Sequence, residues 1–496
     1  MTENKLIRIN KKKLPVNWDV AKIEEISTVI LGQSPVSSSY NTTGEGLPFF
    51  QGKAEFGVFY PQTVKWCTEP KKTALKNDIL ISVRAPVGPT NLAPKECCIG
   101  RGLAAIRPND GITHKYLLYY LRSIESKIES LGTGTTFKAI SGGILKSLPV
   151  LLAPSNEQKR IVSEIEKQFS RLDEAVDNLK RVKANLKRYK ASVLKAAVEG
   201  KLTEEWREKH PDVEPADKLL KRILAGRRKK WEEAELAKMK AKGKEPKNDK
   251  WKKKYKTPAV PLTSPRMPDL PSKWALAGIE QLLPPRRESM KTGPFGSLLK
   301  KYEHRDVGVP VLGIENIRAM KFVHGSKIHI TKKKAQELDG YKVAPGDVLI
   351  SRSGTVGEVC VVPDGIGKAR ISTNLMKVSL TKNSLFPEIF TFLFNGSPFV
   401  LNQVSELCKG STRDFLNQDI LKRIIFLVPP TSEQKQMIQE VDRTFTTIDR
   451  IEHEIKKNLL RADRLRQSIL KKAFSGKLFP QINTDKSAEN MLQRSA

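Results

Sequence analysis

Ser155-Asn156-Glu157-Gln158-Lys159-Arg160-Ile161 opens a stretch of chain that occurs twice. Shifted by 276 residues, Ile144–Leu202 lies on Ile420–Leu478 without a gap, with 20 identities in 59 positions. Matched pairs include Ile144-Leu145-Lys146 with Ile420-Leu421-Lys422, Glu157-Gln158-Lys159 with Glu433-Gln434-Lys435, and Gly200-Lys201-Leu202 with Gly476-Lys477-Leu478. A long match at one fixed offset means two similar halves in tandem.

Each copy carries the rhythm of a long amphipathic helix. In the first, Ile165, Phe169, Leu172, Val176, Leu179, Leu186 and Val193 return every three or four residues, with Ile161, Val182 and Tyr189 in the same series. In the second, Val441, Phe445, Ile448, Ile455, Leu459, Ala462 and Ile469 do so, joined by Ile451 and Leu465. Such spacing over several heptads, with charged residues between, is the pattern of a coiled-coil seam. Ala153-Pro154-Ser155 and Pro429-Pro430-Thr431 mark the starts, and Gly200 and Gly476 stand where a glycine stop belongs. At about 1.5 Å per residue a helix of this length reaches roughly 65–70 Å. Each helix could pack only on its own domain. Two copies of equal length argue instead for seams that zip together as a spacer between two globular heads.

The heads flank these helices. Each opens on Leu-Pro-x-x-Trp, Leu14 to Trp18 and Leu270 to Trp274, then alternates β-rich runs with Gly and Pro turns. Asn77–Arg84 aligns with Gly346–Arg352, Gly88 matches Gly357 at an offset of 269, and helical stretches follow near His114–Ser130 and Pro387–Leu407. The fold class is α/β, with two mixed heads and two long helices. The expected division is a first head over 1–153, a long helix over 154–202, a connection over 203–268, a second head over 269–428, a second long helix over 429–479, and a disordered tail over 480–496. The heads differ in their loops. The first has Gly32-Gln33-Ser34-Pro35 and Pro48-Phe49-Phe50-Gln51-Gly52-Lys53; the second has Thr292-Gly293-Pro294-Phe295-Gly296-Ser297 and Pro310–Ile317. Similar scaffolds with different loops suit two modules that recognise different targets.

The 496 residues carry a net charge of +34, with no acidic block to offset it, which points to a polyanion and first to nucleic acid. Between Arg227 and Lys256 there are 14 Lys or Arg against 5 acids, a net +9, with Trp231, Trp251 and Tyr255 interleaved. This reads as a helix near Asp217–Lys242 close to phosphate or a partner protein, then a Pro-rich linker. No run of 18 apolar residues exists to span a membrane, and Met1-Thr2-Glu3-Asn4-Lys5 leads into polar residues, so no secretory signal is expected. Five irregularly spaced cysteines suit a reducing cytoplasm without a disulfide framework.

Catalytic tools are absent. There is no G-x-x-x-x-G-K-[ST] loop, no Gly-rich dinucleotide loop, no Asn/Asp-Pro-Pro-Tyr/Phe tetrapeptide, and neither H-E-x-x-H nor paired C-x-x-C. A non-catalytic binding protein is expected, with no cofactor and no metal.

Two heads, two matching helices and a basic interior resemble the specificity (S) subunit of type I restriction-modification systems. The likeness is carried by Gly32–Pro35 with Leu47–Lys53, by Thr292–Ser297, by the proline followed by Glu-Gln-Lys at each helix start, and by Trp206-Arg207-x-x-His210-Pro211 with Arg228–Tyr255. The resemblance implies that each head is a target recognition domain reading half of a bipartite, asymmetric site in double-stranded DNA. It implies that the helices pair as an antiparallel coiled coil that fixes the spacing. It also implies docking of two methyltransferase (M) subunits and of restriction (R) subunits, which would carry S-adenosylmethionine, ATP and Mg. Candidate DNA contacts are Gln51, Lys53, Arg84 and Arg101 in the first head, and Ser297, Lys300, Asn316, Arg352, Ser353 and Thr355 in the second. Two other readings remain: an autonomous enzyme, and a coiled-coil adaptor whose basic heads bind nucleic acid without sequence preference.

Overall fold

The computed structural model describes residues 9, 11, 14–134, 138–243, 246, 248–261, 267–284, 288–294, 298–353, 356–380, 384–408, 415–480 and 488. The chain forms two compact units, Met1–Arg181 with Glu454–Ala496, and Val182–His453. Each unit therefore combines one head with a segment of both long helices.

In the first unit a four-stranded antiparallel sheet runs in the order Ser27–Leu31, Leu103–Pro108, Ile79–Ser82, Thr90–Leu92. Its central strands carry the apolar runs Ile79–Ile81 and Leu103–Ile106 because both faces are covered there. Ile79, Ile81, Ala104 and Ile106 face a core shared with the helix His114–Ser123, whereas Leu80, Leu103 and Ala105 face Phe50 and Ile99 of a second, five-stranded sheet. This is the period-two alternation of a strand. The second unit repeats the plan. Met290–Thr292, Leu375–Val378, Val348–Ser351 and Val359–Val361 form the four-stranded sheet, Val348, Ile350, Met376 and Val378 face the helix side, and Leu349, Cys360 and Leu375 face the other. The helical stretches expected as single elements each break in two, into His114–Ser123 and Glu125–Leu131, and into Pro387–Gly396 and Pro398–Cys408.

One latch joins head to helix in both units. A two-stranded ribbon pairs Asp19–Lys22 with Pro149–Leu152, and Ala275–Gly278 with Ile425–Val428. Each ribbon leads into a long helix, Ser155–Val198 or Thr431–Ala473. The buried indole N–H of Trp18 donates to Glu157 at 2.9 Å, and that of Trp274 donates to Glu433 at 2.9 Å. Gln158 accepts from Thr113 N and donates to the Ala153 carbonyl; Gln434 accepts from Phe386 N and donates to the Pro429 carbonyl. The repeated Glu-Gln is thus the lock to which the Leu-Pro-x-x-Trp openings are the key. At the far ends Gly200 and Gly476 take φ of +74° and +68°, the left-handed stop that glycine adopts without strain.

Along the helices Ile165, Val193, Val441, Ile448, Ile455 and Ala462 are buried, and Phe169, Leu172, Val176, Leu179, Leu186, Phe445, Leu459 and Ile469 are half-buried. Val182, Tyr189, Ile451 and Leu465 are exposed and depart from the expected series. A straight helix drifts by ~20° per heptad against a 3.5-residue repeat, so a strict three-four series leaves some members off the contact line. In the first unit Ile161 and Ile165 share a core with Leu470 and Phe474, Arg466 lies over the Phe169 ring at 5.2 Å, and Arg466 pairs with Asp173. In the second, Val193 and Ala197 share a core with Met437 and Val441, and Lys190 pairs with Asp449 at 2.7 Å and Glu452 at 3.1 Å.

The described residues of the connection form two helices and a 3-10 turn. Arg207 donates to the Gly200 carbonyl at 2.9 Å and pairs with Glu433, while Trp206 stacks on His210 with ring centroids 4.3 Å apart. A 26-residue helix, Ala216–Ala241, follows. Trp231, Trp251 and Tyr255 pack on one another, at 5.9 and 5.3 Å from Trp231. The aromatics interleaved with the basic residues thus staple the segment to itself. Of the expected tail 480–496, only Pro480 and Ala488 lie within the described residues.

Candidate nucleic-acid interface

In the first head four loops converge at one end of the central sheet and are knitted by backbone hydrogen bonds. Gln33 N donates to Ile99 O at 3.0 Å, Gly100 N to Phe50 O at 2.8 Å, Leu103 N to Gly100 O at 2.9 Å, and Val83 N to Gly102 O at 3.0 Å. Arg101 N adds a bond to the Ser34 hydroxyl at 3.3 Å. The result is a surface depression of about 200 Å³ whose lining includes Ser34, Gln51, Lys53, Arg84 and Arg101. All four candidate residues of this head are therefore brought together. Lys53, Arg84 and Arg101 are exposed and Gln51 half-exposed. Among the described residues none of the three cations forms an ion pair, so their field is directed outward.

Gly102 is required at the floor. A Cβ there would overlap the Gln51 carbonyl oxygen, so any side chain would displace the residue that carries the Gln51 amide. At the opposite end of the same strands, buried Asp78 accepts from Arg107 at 2.8 and 3.1 Å and from Leu75 N at 2.8 Å, and this hydrogen bonding holds the Arg107 guanidinium above its ordinary pKa. Burial pushes the Cys97 and Cys98 thiols up to about 12, which keeps them protonated within the core.

The second head repeats the weave with other side chains. Ser372 N donates to Leu312 O at 2.8 Å, Leu375 N to Ser372 O at 3.1 Å, and Arg352 N to Asn374 O at 3.0 Å. By this bonding Arg352 corresponds to Val83, Ser353 to Arg84, Thr373 to Arg101, Asn374 to Gly102, and Gly313 to Gln51. Arg84 and Arg352 therefore do not occupy equivalent positions, although both follow the aligned strands. A one-residue offset turns a side chain to the opposite face of a strand. Arg84 is exposed, whereas Arg352 is 1% exposed, donates to the Leu416 and Thr373 carbonyls at 3.1 and 3.0 Å, and lies over the Phe415 ring.

Arg352 thus braces the loops from inside and is corrected as a surface contact. Asn316 is corrected likewise: it is fully buried, accepts from Gly313 N at 2.9 Å, and donates to the Val323 and Gly325 carbonyls. Lys300 is exposed, with its ammonium 5.6 Å from the Tyr302 ring, and Ser353 is half-exposed. Ser297 and Thr355 lie outside the described residues. The sequence reading missed Thr373 and Asn374, both exposed, and Glu315 at the register of Lys53. Ser372-Thr373-Asn374-Leu375 stands where Gly100-Arg101-Gly102-Leu103 stands in the first head, but only the leucine is shared to reveal it.

Among the described residues no helix is long and apolar enough to cross a membrane, and no group of three or more His, Cys, Asp or Glu could hold a metal ion.

A family model described as type I restriction modification DNA specificity domain matches residues 15–188 and 295–461. The putative type I restriction enzyme MjaX specificity subunit of Methanocaldococcus jannaschii is 42% identical over 193 residues, 38% of this chain and 44% of that relative's length. The type I restriction enzyme EcoKI specificity subunit of Escherichia coli is 25% identical over 97% of this chain and 95% of its own. A solved structure, the HsdS subunit from Thermoanaerobacter tengcongensis, is 46% identical, covers 33% of this chain and 40% of its own, and has a TM-score of 0.30.

Proposed function

The chain belongs to the type I restriction modification DNA specificity family, and from that premise we propose that it is the DNA sequence-recognition subunit of a type I restriction-modification complex. Each head reads one half of a bipartite, asymmetric site in duplex DNA. The observation that carries this reading is the depression lined by Gln51, Lys53, Arg84 and Arg101. Its side chains are those that address base edges in a major groove: Arg offers two parallel donors to guanine O6 and N7, and Gln matches adenine N6 and N7. The surrounding positive charge supplies the sequence-independent attraction to phosphate. In the second head the same register holds Ser353, Thr373 and Asn374, which would read a different half-site through neutral donors and acceptors.

The two long helices pair along their length as an antiparallel coiled coil and set the distance between half-sites. In support, Asp173 meets Arg466 near one end while Lys190 meets Asp449 nearer the other, so residue numbers rise on one helix as they fall on its neighbour. The chemistry belongs to other chains: two M subunits bring S-adenosylmethionine and methylate adenine, and R subunits bring ATP and Mg. This division agrees with the lack of catalytic motifs in the sequence. Co-expression with the M subunit and genome-wide mapping of methylated adenines tests the reading, which expects one split motif. Methylation or cleavage by the purified chain alone would favour an autonomous enzyme. Binding indifferent to sequence, with M subunits present, would favour the adaptor.

A further inference from the structure

The second head carries no lysine or arginine at the loop register where the first presents Arg84 and Arg101; Ser353 and Thr373 stand there instead. Yet the unit containing that head also contains the most cationic segment of the chain, Arg227–Lys256. We propose that the described residues of this segment form an arm that grips the phosphate backbone of duplex DNA outside the bases read by the heads. The proposal rests on the DNA-reading role above and adds a separate binding surface to it.

The arm is anchored at its base and bare beyond. Ala216 and Leu220 are buried in the core of the unit beside Trp274, and Arg227 donates to the Glu280 carbonyl. After that point the helix buries little. The chain then returns, and Trp231, Trp251 and Tyr255 hold the short 3-10 turn Asp249–Lys254 against the helix. A solvated linker has no need of a three-ring staple, whereas a surface that must present charges in a fixed pattern does.

The charges divide into two sets. Arg228 pairs with Glu232, Lys238 with Glu235, and Lys252 with Asp249. Lys229, Lys230, Lys240, Lys253, Lys254 and Lys256 are exposed and, among the described residues, form no ion pair. The first set shapes the arm and the second is left for a ligand. A dense array of fixed cations suits a polyanion with evenly spaced charges. Duplex DNA has one phosphate per ~1.7 Å of axis and releases counterions when cations replace them, so binding carries a measurable salt signature.

The test uses the full chain assembled with its M subunits, and a labelled duplex extending well beyond the methylated motif. Lys229, Lys230, Lys253 and Lys254 are replaced together by Gln, and affinity is followed by anisotropy across a salt series. The expected result is weaker binding to specific and scrambled duplexes by the same factor, a salt slope shallower by ~0.9 for each phosphate no longer neutralised, and an unchanged methylated motif. An unchanged slope and affinity in a complex that still methylates its motif overturns the arm while leaving the recognition role standing. Loss of M-subunit assembly, with unaltered DNA affinity in the complexes that do form, also overturns it and identifies an acidic protein surface as the partner. If the unmodified complex yields no split motif, it is the recognition role that fails. Far-UV circular dichroism of the quadruple variant controls for folding, and the exposed position of all four side chains predicts no change.

Discussion

Glu433→Ala should cost far more than Glu157→Ala, although the two glutamates are equivalent residues of a duplicated latch. Glu433 is 1% exposed and accepts from the Trp274 indole at 2.9 Å, from the Thr203 hydroxyl at 2.8 Å, and from the Arg207 guanidinium. Removing it leaves the buried Trp274 and Thr203 donors without that acceptor and strips the half-buried Arg207 guanidinium of its carboxylate, leaving it only the Gly200 carbonyl, and breaking an ion pair of this kind costs about 3–5 kcal/mol. Glu157 is 2% exposed and accepts from Trp18 through one oxygen, while its other oxygen is buried with no partner. Deleting it loses one charge-assisted bond but also relieves that orphaned oxygen, so the expected net is about 1 kcal/mol. A chain of two units does not unfold in one step, so a global midpoint would blur the comparison. Native-state hydrogen exchange on the ribbons resolves it, because Asp19–Lys22 and Ala275–Gly278 report the two latches separately. Arg207→Ala should lower protection in the second ribbon by ~2–3 kcal/mol and leave the first untouched. Equal losses at the two latches, or a larger loss for Glu157→Ala, would refute the reasoning.

Four further outcomes are expected. Arg84→Ala and Arg101→Ala should each weaken target binding by ~1–3 kcal/mol and relax only the half-site read by the first head, as scored by methylome mapping, whereas Asn374→Ala should relax only the other half. Gly102→Ala should disturb the same half-site as Arg84→Ala without removing any DNA-facing side chain, because its methyl would displace the Gln51 backbone; selection on a randomised half-site would read this. Hydrogen bonds from Lys190 and then Lys321 hold the Asp449 carboxyl below its ordinary value. A depressed carboxylate stabilises above its unfolded pKa of ~3.9 and loses that contribution as pH falls through the folded value, so Asp449→Asn should flatten the acid limb of the stability profile below about pH 4. At 42% exposure the effect should stay within about 1 kcal/mol. All five cysteines are buried, and burial raises the Cys360 thiol to about 12 as it does Cys97 and Cys98, so a thiol reagent at mild alkaline pH should label the chain only after unfolding.

The long helices were legible because their residues repeat at helical spacing and at one offset, two signals that need no tertiary knowledge. The Glu-Gln starts were legible as a repeat, but not as a latch, since Trp18 lies 139 residues from Glu157 and nothing local links them. In the first head the candidate residues were found because glycines flank them and because Gln51, Lys53, Arg84 and Arg101 are of types that bind DNA. The same logic failed in the second head. Asn316 and Arg352 are polar residues beside glycines or strand ends, yet each satisfies backbone groups inside the loops. Thr373 and Asn374 carry no charge and no flanking glycine, so only the backbone weave reveals their register. In the basic segment the interleaved Trp231, Trp251 and Tyr255 were legible, but not their packing on one another, which needs the chain to turn back on the helix.

The most direct measurement exchanges residues 14–150 for the corresponding head of a relative with a different target, and maps methylated adenines with the same M subunits. Independent heads held by a common pair of helices predict a hybrid motif: one half-site changes, while the other half-site and the gap stay as they were. A motif altered in both halves, or methylation that follows no split sequence, would contradict two separate readers on one spacer.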